Sequence, residues 1–457
     1  MSIMADIWKQ KKKECSIFFK GADMRVVDLI EKKKQGLAHT KEEINFIVNG
    51  FVSGEIEDYQ MSAWLMAVCF QDLNIEETAY LTEAFVNSGE ILDFSHISDV
   101  VADKHSTGGV GDKVTLALIP LLASCGVVCA KLSGRGLGLT GGTIDKLEAI
   151  PNFNPQLSAE KFMAQIKKIG CAISSQSPNL TPADGKIYSL RDVTATVDNK
   201  ALICSSVISK KIASGADIIV LDVKYGSGAF IKTKEEAQEL ATLMIDIAKQ
   251  LNRKVSAVIT SMEQPLGQNI GNALEVIECI EFLKGNMTPD LKEVIFEIAL
   301  ITLLAADKVK TREEGIELLN SKIQSGEALA KLKEIIVEQE GNPDCLEDYT
   351  KFVPCENKFE LYADKSGYIE ALEAVEVAKA CKLLGAGRDK KTDPIDYAVG
   401  AKLNKKAGEK AEKGELLAEL FYNDAKRLDE AVEHLKSAYV ISENAPQTEE
   451  LIYKTII

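Results

Sequence analysis

Two glycine-rich segments, KHSTGGVGD at residues 104–112 and SGRGLGLTGGT at residues 133–143, each follow a short apolar stretch. Glycine lets backbone N–H groups turn toward an anion, and a helix that begins after such a turn adds partial positive charge. Ligands of parallel α/β sheets bind at the carboxyl ends of strands, which is where both turns fall. The sequence therefore predicts an α/β fold that binds phosphate at these turns.

Predicted strands and helices alternate on either side of the two turns. Strands are predicted at 100–102, 127–132, 172–174, 218–223 and 256–259, and helices at 114–124, 158–169, 234–251 and 272–282. Such alternation is typical of a mostly parallel sheet covered by helices on both faces. Residues 24–88 have helical periodicity, with a capping box at 40–43. Short strands at 359–362, 367–369 and 399–403 predict a C-terminal α+β domain.

Composition limits the class of partner. The chain has 457 residues and a formal net charge of −15, which argues against general binding to nucleic acid or anionic lipid. It contains no apolar run of roughly eighteen residues, so we expect no membrane span. Ten cysteines without a CxxC pair predict reduced thiols and a cytoplasmic protein. Four scattered histidines predict no zinc site.

Ammonium and hydroxyl side chains accompany the glycines. A bound phosphate needs positive charge and directional donors, and these are available at Lys104, Ser106, Thr115, Ser133 and Thr143. The alternative is that the glycines only form tight turns between strands and helices, and that the hydroxyls only cap helices.

Two nucleotide-binding motifs offer other interpretations of these turns. Residues 136–141 match GxGxxG, but the acidic residue expected about twenty positions later is missing, since residues 171–175 read CAISS. A Walker sequence is absent as well, because Gly111 is followed by Asp-Lys-Val. Hydride transfer and ATP hydrolysis are therefore disfavoured.

A third group of motifs lies further along the chain, as TPAD at 181–184, YSLRD at 188–192 and SSVISKK at 205–211. Arg191 and Lys210 stand there among apolar and small residues. They are either surface charges on helices or cations held for a substrate.

These motifs, together with TIDKL at 143–147, LDVK at 221–224, GAGR at 385–388 and DYAVG at 396–400, closely resemble the pyrimidine nucleoside phosphorylase and thymidine phosphorylase family. The resemblance runs from Met24 nearly to Ile457. It implies a homodimer, with a cleft between a helical and an α/β domain that closes on substrates. It also implies reversible attack of phosphate on C1′ of a pyrimidine nucleoside, which yields the free base and (deoxy)ribose 1-phosphate.

The resemblance also divides the chain into domains. It implies a helical, base-binding domain at 24–92 and 178–213, an α/β phosphate-binding domain at 93–177 and 214–350, and a C-terminal α+β domain at 354–457. Residues 1–23 are interpreted as a loosely attached extension.

Residue roles follow from the same resemblance. Arg191, Ser206 and Lys210 are expected to bind the base, and His105 to hydrogen-bond or protonate its O2 with Asp184 orienting the ring. Lys131 matches the lysine of broad-specificity members and is expected to bind phosphate together with the residues named above. It favours an enzyme that accepts uridine, thymidine and deoxyuridine. No cofactor is required beyond inorganic phosphate as co-substrate.

Two positions depart from the family pattern. Leu139 replaces the histidine that is usual in the second turn. Some members bind a monovalent cation, K⁺, at positions that correspond to Gly111, Leu266, Asn269 and Glu278, with a hydroxyl residue where this chain has Lys113. An ammonium would repel K⁺, so we predict that Lys113 pairs with Glu278 and replaces the ion.

Three other functions stay open at this point. A strict thymidine phosphorylase and a phosphoribosyltransferase-like enzyme share the family's features, although no acidic cluster for a metal–pyrophosphate complex is evident near Asp103 or Asp112. A nucleoside-binding protein without turnover is the third, and the presence of Lys104, Ser106, Arg191 and Lys210 argues against it.

Overall fold

The computed structural model describes residues 24–136, 141–177, 179–355, 357–388, 390, 392–447 and 449–457. The predicted extension at 1–23 and the departure at Leu139 lie outside the described residues. The chain forms two compact units, one that ends at Ser88 and includes Pro182–Ser206, and one formed by Gly89–Thr181 and Val207–Ile457.

The first unit is all-helical. Its helices are α1 (Val26–Lys34), α2 (Lys41–Ser53), α3 (Asp58–Gln71), α4 (Ile75–Val86) and α8 (Pro182–Arg191), together with the beginning of α9 (Lys200–Ala213). Apolar residues at helical spacing bury Phe51, Trp64 and Phe85 in its core. The capping box predicted at Thr40 is confirmed, since Thr40 and Glu43 bond to each other's backbone N–H groups.

A six-stranded sheet forms the centre of the second unit. Its strands, in spatial order, are β13 (Ile452–Ile456), β5 (Lys254–Ser261), β4 (Ile218–Tyr225), β1 (Val101–Ser106), β2 (Val128–Ser133) and β3 (Cys171–Ser175). Strands β1 to β5 are parallel, and β13 pairs antiparallel with β5. All eight residues of β4 are buried, as expected for a central strand of a parallel sheet.

The helices associated with this sheet are α5 (Val114–Ser124), α6 (Thr143–Glu148), α7 (Ala159–Ile169), α10 (Lys234–Gln250), α11 (Asn272–Leu283), α12 (Pro289–Ala305), α13 (Arg312–Gln324) and α14 (Glu327–Glu338). Helices α5, α11 and α12 contribute many residues to its main apolar core. Short 3₁₀ helices follow at Pro343–Leu346 and Tyr349–Lys351.

The C-terminal part of this unit has two small sheets. One contains β6 (Asn269–Ile270), β9 (Gly400–Leu403), β11 (Leu416–Tyr422) and β7 (Asn357–Tyr362), and the other contains β10 (Lys410–Ala411), β8 (Gly367–Leu372) and β12 (Tyr439–Ser442). Helices α15 (Ala374–Leu383) and α16 (Leu428–Ala438) pack with them around a second apolar core.

The predicted fold class is confirmed, and the element bounds differ from the predictions by a few residues. Two differences matter for the domain boundaries. Residues 452–456 pair with β5 in the central sheet, although the sequence placed them in the C-terminal domain. The helical unit resumes at Pro182 and ends at Ser206 rather than spanning 178–213, so Lys210 belongs to the second unit. Strand pairing between distant segments leaves no local signal in a sequence.

Candidate functional site

The first glycine-rich turn connects β1 to α5. Strand β1 lies between β4 and β2, so the turn leaves the carboxyl end of the middle of the sheet. Gly108 and Gly111 have φ values of 87° and 76°, in the left-handed region that favours glycine. A Cβ atom on Gly109 would lie 2.4 Å from the sulfur of Met262. The backbone angles and this close approach explain why glycine occupies all three positions of the turn.

A buried ionic network underlies this turn. Lys104 Nζ lies 3.0 Å from Asp222 Oδ2 and 3.6 Å from Asp112 Oδ1, and Lys224 Nζ lies 3.0 Å from Asp222 Oδ2. Ser106 Oγ donates to Asp112 Oδ2 and accepts from the Gly108 N–H. Burial disfavours the charge of Lys104, but the two aspartates outweigh it and raise the Lys104 pKa. The lysine is therefore charged at neutral pH.

Asp112 and Asp222 contact the predicted Lys104, although neither aspartate was predicted as a site residue from the sequence. Burial opposes ionisation of Asp112, but Lys104, Lys224 and Lys146 hold its pKa below the usual range. Both aspartates stood in quoted motifs, at the end of the first turn and in LDVK. Their ion pairs with Lys104 depend on the pairing of β1 with β4, which the sequence does not display.

A second pair of lysines surrounds Asp103. Lys211 Nζ lies 2.7 Å from Asp103 Oδ2, and Lys131 Nζ lies 3.5 Å from Asp103 Oδ1. Lys131 also donates to the backbone oxygens of Lys104 at 2.6 Å and Leu132 at 3.3 Å. Burial, together with the charges of Lys211 and Lys104, lowers the pKa of Lys131 to about 7 despite Asp103. Lys131 can therefore gain or lose charge near neutral pH.

His105 is half-buried on β1 beside this group of lysines. Burial, followed by the charges of Lys211, Lys131, Lys104 and Lys210, holds the His105 pKa well below its ordinary value of 6.5. The ring is consequently neutral at pH 7, where it can donate one hydrogen bond but holds no extra proton to give away.

The second glycine-rich turn is closed by Asp145 of α6. Asp145 Oδ2 accepts from the N–H groups of Gly136 at 2.7 Å and Gly142 at 3.3 Å, so one carboxylate joins both sides of the turn. A Cβ on Gly142 would lie 2.1 Å from Gly136 N, which excludes larger residues there. Arg135 binds Asp145 at 3.1 Å and Glu148 at 2.5 Å.

The predicted hydroxyl ligands lie near the two turns. Ser133 ends β2 and Thr143 begins α6, both half-buried, whereas Thr115 is buried in the first turn of α5. Lys146 Nζ donates to the backbone oxygen of Asp112 at 2.6 Å, which ties the helix after the second turn to the first turn. The second unit thus brings together the predicted phosphate-binding residues of both turns.

Arg191 lies in the helical unit, at the end of α8. Its guanidinium donates to three backbone oxygens, those of Thr196 at 3.0 Å, Leu202 at 3.2 Å and Val197 at 2.8 Å. Burial lowers the Arg191 pKa, and the nearby carboxylate of Asp184 opposes that shift. A guanidinium has five N–H donors, and these three bonds use one donor on each of its three nitrogens.

The other predicted base-binding residues lie on helices. Asp184 is buried in the first turn of α8. Ser206 and Lys210 are one turn apart on α9, which places them on the same side of that helix. Ser206 belongs to the helical unit and Lys210 to the second unit.

The oxygens that the resemblance associates with K⁺ are bound to Lys113. Its Nζ lies 2.8 Å from each of Leu266 O, Asn269 O and Glu278 Oε2. The predicted Lys113–Glu278 ion pair is therefore present. These residues do not fit a metal cation, because the ammonium stands where the ion would bind.

The described residues offer neither a metal-binding cluster nor a membrane span. No group of three or more His, Cys, Asp or Glu residues in them could hold a metal ion. No helix among them is long and apolar enough to cross a membrane. All the cysteines that the structure describes are free thiols.

Three domains of known families match successive segments of the chain. Residues 27–89 match the helical bundle domain of the glycosyl transferase family, residues 98–329 match the a/b domain of that family, and residues 368–442 match the pyrimidine nucleoside phosphorylase C-terminal domain.

Individual proteins match over nearly the whole chain. The pyrimidine-nucleoside phosphorylase of Staphylococcus aureus is 48% identical over 434 residues, which are 95% of this chain and 100% of that protein. The enzyme of the same name from Staphylococcus epidermidis is 47% identical over 433 residues, with the same coverage. The crystal structure of anthranilate phosphoribosyltransferase from Thermus thermophilus has a TM-score of 0.55 and 19% identity, and covers 68% of this chain and 98% of its own. That likeness concerns the fold alone.

Proposed function

The chain belongs to the pyrimidine-nucleoside phosphorylase family of pentosyltransferases, and we propose that it catalyses the reversible phosphorolysis of uridine, thymidine and deoxyuridine in nucleoside salvage. The products are the free pyrimidine and ribose or deoxyribose 1-phosphate. The observation that carries the proposal is a buried cluster at the carboxyl ends of β1, β2 and β4, in which four lysines face three aspartates: Lys104, Lys131, Lys211 and Lys224, and Asp103, Asp112 and Asp222.

The cluster carries one positive charge in excess when Lys131 is protonated. In a site of low dielectric constant that charge favours a bound anion. The backbone N–H groups of the two glycine-rich turns and the hydroxyls of Ser106, Thr115, Ser133 and Thr143 supply directional donors for phosphate oxygens. Lys104 is held by its two aspartates, so it provides charge without a large conformational change.

In the forward reaction, a phosphate oxygen forms a bond to C1′ as the bond from C1′ to N1 of the base breaks. The electron pair of the broken bond goes to the base, and the proton that hydrogen phosphate loses is transferred to the base. No covalent enzyme intermediate is needed. Alignment of the two reactants lowers the activation barrier by up to ~7 to 11 kcal/mol.

The departing base gains negative charge, which its oxygens share. Arg191 and Lys210 stabilise that charge selectively in the transition state, and Ser206 donates a further hydrogen bond. Neutral His105 donates a hydrogen bond to O2, where an imidazole without extra charge suffices. Asp184 supports the positive charge of Arg191 in its buried position.

Broad substrate acceptance is the finer part of the proposal. Lys131 places a polar amine where strict thymidine phosphorylases resemble one another in carrying an apolar residue. Its neighbours Lys104 and Asp103 belong to the phosphate-binding cluster. A polar residue at this position tolerates a ribose hydroxyl, because that hydroxyl keeps a hydrogen-bond partner on leaving water.

We also propose a cytoplasmic homodimer. Free thiols are typical of a reducing compartment. Tyr59, Met66 and Phe70 are exposed at a spacing that places them on one face of α3, and an apolar stripe of this kind suits association with a second copy. Light scattering on the purified chain measures the assembly directly.

The proposed reaction is tested by incubation with uridine, thymidine or cytidine, with and without phosphate, while release of free base is followed by absorbance. We expect release from uridine and thymidine that requires phosphate. Release from thymidine alone would instead indicate a strict thymidine phosphorylase, and binding without release would contradict catalysis.

The phosphate site is tested with Thr115→Val, which removes one hydroxyl at nearly constant volume. We expect a KM for phosphate raised by roughly tenfold, the effect of about one hydrogen bond to a charged group, with a smaller change in the KM for uridine. Thr242→Val, which alters an exposed threonine of α10, is the matched control. Equal kinetics for both variants would remove Thr115 from the site.

A further inference from the structure

Lys113 has an unusual environment for a lysine. The residue is 1% exposed, and its three ammonium hydrogens meet three oxygens at 2.8 Å, those of Leu266, Asn269 and Glu278. Three donors and three acceptors leave no hydrogen-bonding capacity unused. Two main-chain carbonyls and a carboxylate are also the oxygen ligands that a hard metal cation takes from a protein.

The carboxylate in this group is fixed independently of Lys113. Glu278 Oε1 accepts from Gln268 N at 2.8 Å and from Thr288 Oγ1 at 3.3 Å, and Glu278 Oε2 also accepts from Asn269 N at 2.9 Å. Removing the ammonium would therefore leave these oxygens nearly in place, with an uncompensated negative charge.

The oxygens are enclosed by two glycines. A Cβ on Gly267 would lie 2.6 Å from Glu278 Oε1 and 2.7 Å from Lys113 Nζ, and a Cβ on Gly111 would lie 2.4 Å from Leu266 O. Both glycines have positive φ values, 72° and 76°. The enclosure is thus built from backbone, which moves less readily than side chains.

This enclosure lies against the first glycine-rich turn. Lys113 is the residue before α5, and the Leu266 N–H donates to Val110 O at 3.0 Å. A cation among these oxygens therefore joins the segment 266–269 to the turn that we assign to phosphate binding.

We propose that the Lys113 ammonium is a resident replacement for a monovalent metal cation, and that the oxygens around it form a latent site for ions of the size of K⁺. The chain as it stands then neither binds nor needs K⁺ at this position. A variant that lacks the amine becomes dependent on such an ion.

The test compares the wild-type chain with Lys113→Ser and Lys113→Met, using thermal unfolding in chloride salts of potassium, rubidium, ammonium, sodium and choline at constant ionic strength. Thermal unfolding does not depend on catalysis, so its result stands even if the proposed reaction fails. We expect the same midpoint for the wild type in potassium and choline chloride. Lys113→Ser should melt several degrees lower in choline, with a midpoint that rises with the logarithm of K⁺ concentration. Lys113→Met fills the space and should show no rescue.

Kinetics give the second readout, which rests on the proposed function. The KM of Lys113→Ser for phosphate should fall severalfold on addition of K⁺, whereas wild-type kinetics should not change. A wild-type midpoint or rate that rises in potassium relative to sodium and choline would overturn the proposal, as would a folded Lys113→Ser that responds equally to all salts. If that variant does not fold in any salt, equilibrium dialysis of the wild type with radioactive rubidium decides, and binding competed by K⁺ but not by Na⁺ refutes the replacement.

Discussion

Arg388 Nη1 lies 2.9 Å from Asp145 Oδ1, so a residue of the C-terminal part holds the carboxylate that closes the second glycine-rich turn. A second contact supports the first, because Tyr397 Oη donates to Glu148 Oε2 at 3.0 Å. Asp145 is buried, and Arg135 is its other cationic partner. The C-terminal elements therefore contribute to the geometry of the second glycine-rich turn.

Arg388→Gln should loosen this turn. We expect a KM for phosphate raised severalfold, with little change in the KM for uridine, and a loss of about 1 to 3 kcal/mol in the free energy of unfolding because a buried carboxylate loses one of its cations. Arg427→Gln, which breaks an exposed ion pair with Glu430, is the control and should change neither quantity. Equal effects on both substrates would show that Arg388 acts on folding alone.

Lys131 should make stability depend on pH. Its folded pKa of about 7 lies below its ordinary value of 10.5, so the unfolded chain holds more protons between these values and the free energy of unfolding contributed by Lys131 rises with pH across that interval. Below about pH 7 the amine is charged in both states and the slope disappears. Denaturant titrations of wild type and Lys131→Met should therefore diverge between about pH 7 and 10, with the wild type gaining. Parallel curves would contradict the lowered pKa.

The Lys131→Met variant also tests the substrate range. We expect the ratio of uridine to thymidine kcat/KM to fall by roughly tenfold, which corresponds to about one lost polar contact. The ratio is compared with that of Lys254→Met, which changes an exposed lysine at the start of β5. An unchanged ratio would mean that Lys131 contributes charge but not specificity.

His105 should stay neutral through neutral pH in the absence of phosphate. NMR of the chain labelled with ¹⁵N-histidine should show one ring, absent in His105→Asn, that does not titrate between pH 6 and 8, because burial and four lysines oppose its protonation. A midpoint near 6.5 for that ring would refute this assignment and restore His105 as a general acid.

Arg191→Ala should lower kcat/KM by ~10²-fold or more, since one transition-state donor supplies about 2.7 to 4 kcal/mol. The three carbonyls that Arg191 binds predict a loss of stability as well. Arg191→Lys separates the two effects, because it keeps the charge but not the planar set of donors. Arg25→Ala, at an exposed arginine of the same unit, is the matched control. Near-normal kinetics in a folded Arg191→Ala would remove Arg191 from the base site.

The sequence by itself determined the fold class, the order of its elements and the two turns. Apolar periodicity and glycine spacing are local properties of the sequence, and they indicate elements whose apolar residues become buried in the fold. The helix predicted at 114–124 is an example, because α5 has the same bounds, Val114–Ser124. The sequence also predicted the Lys113–Glu278 pair, because a departure from a family pattern can be recognised at single positions.

Only the tertiary structure decided which charges meet. Asp222 neutralises Lys104 because β4 pairs with β1, Asp103 binds Lys211 across 108 residues of sequence, and Arg388 reaches Asp145 from a different part of the chain. Coulombic interactions depend on distance and burial rather than on sequence separation, so the neutral His105 and the pKa of Lys131 emerge only when the strands are in register.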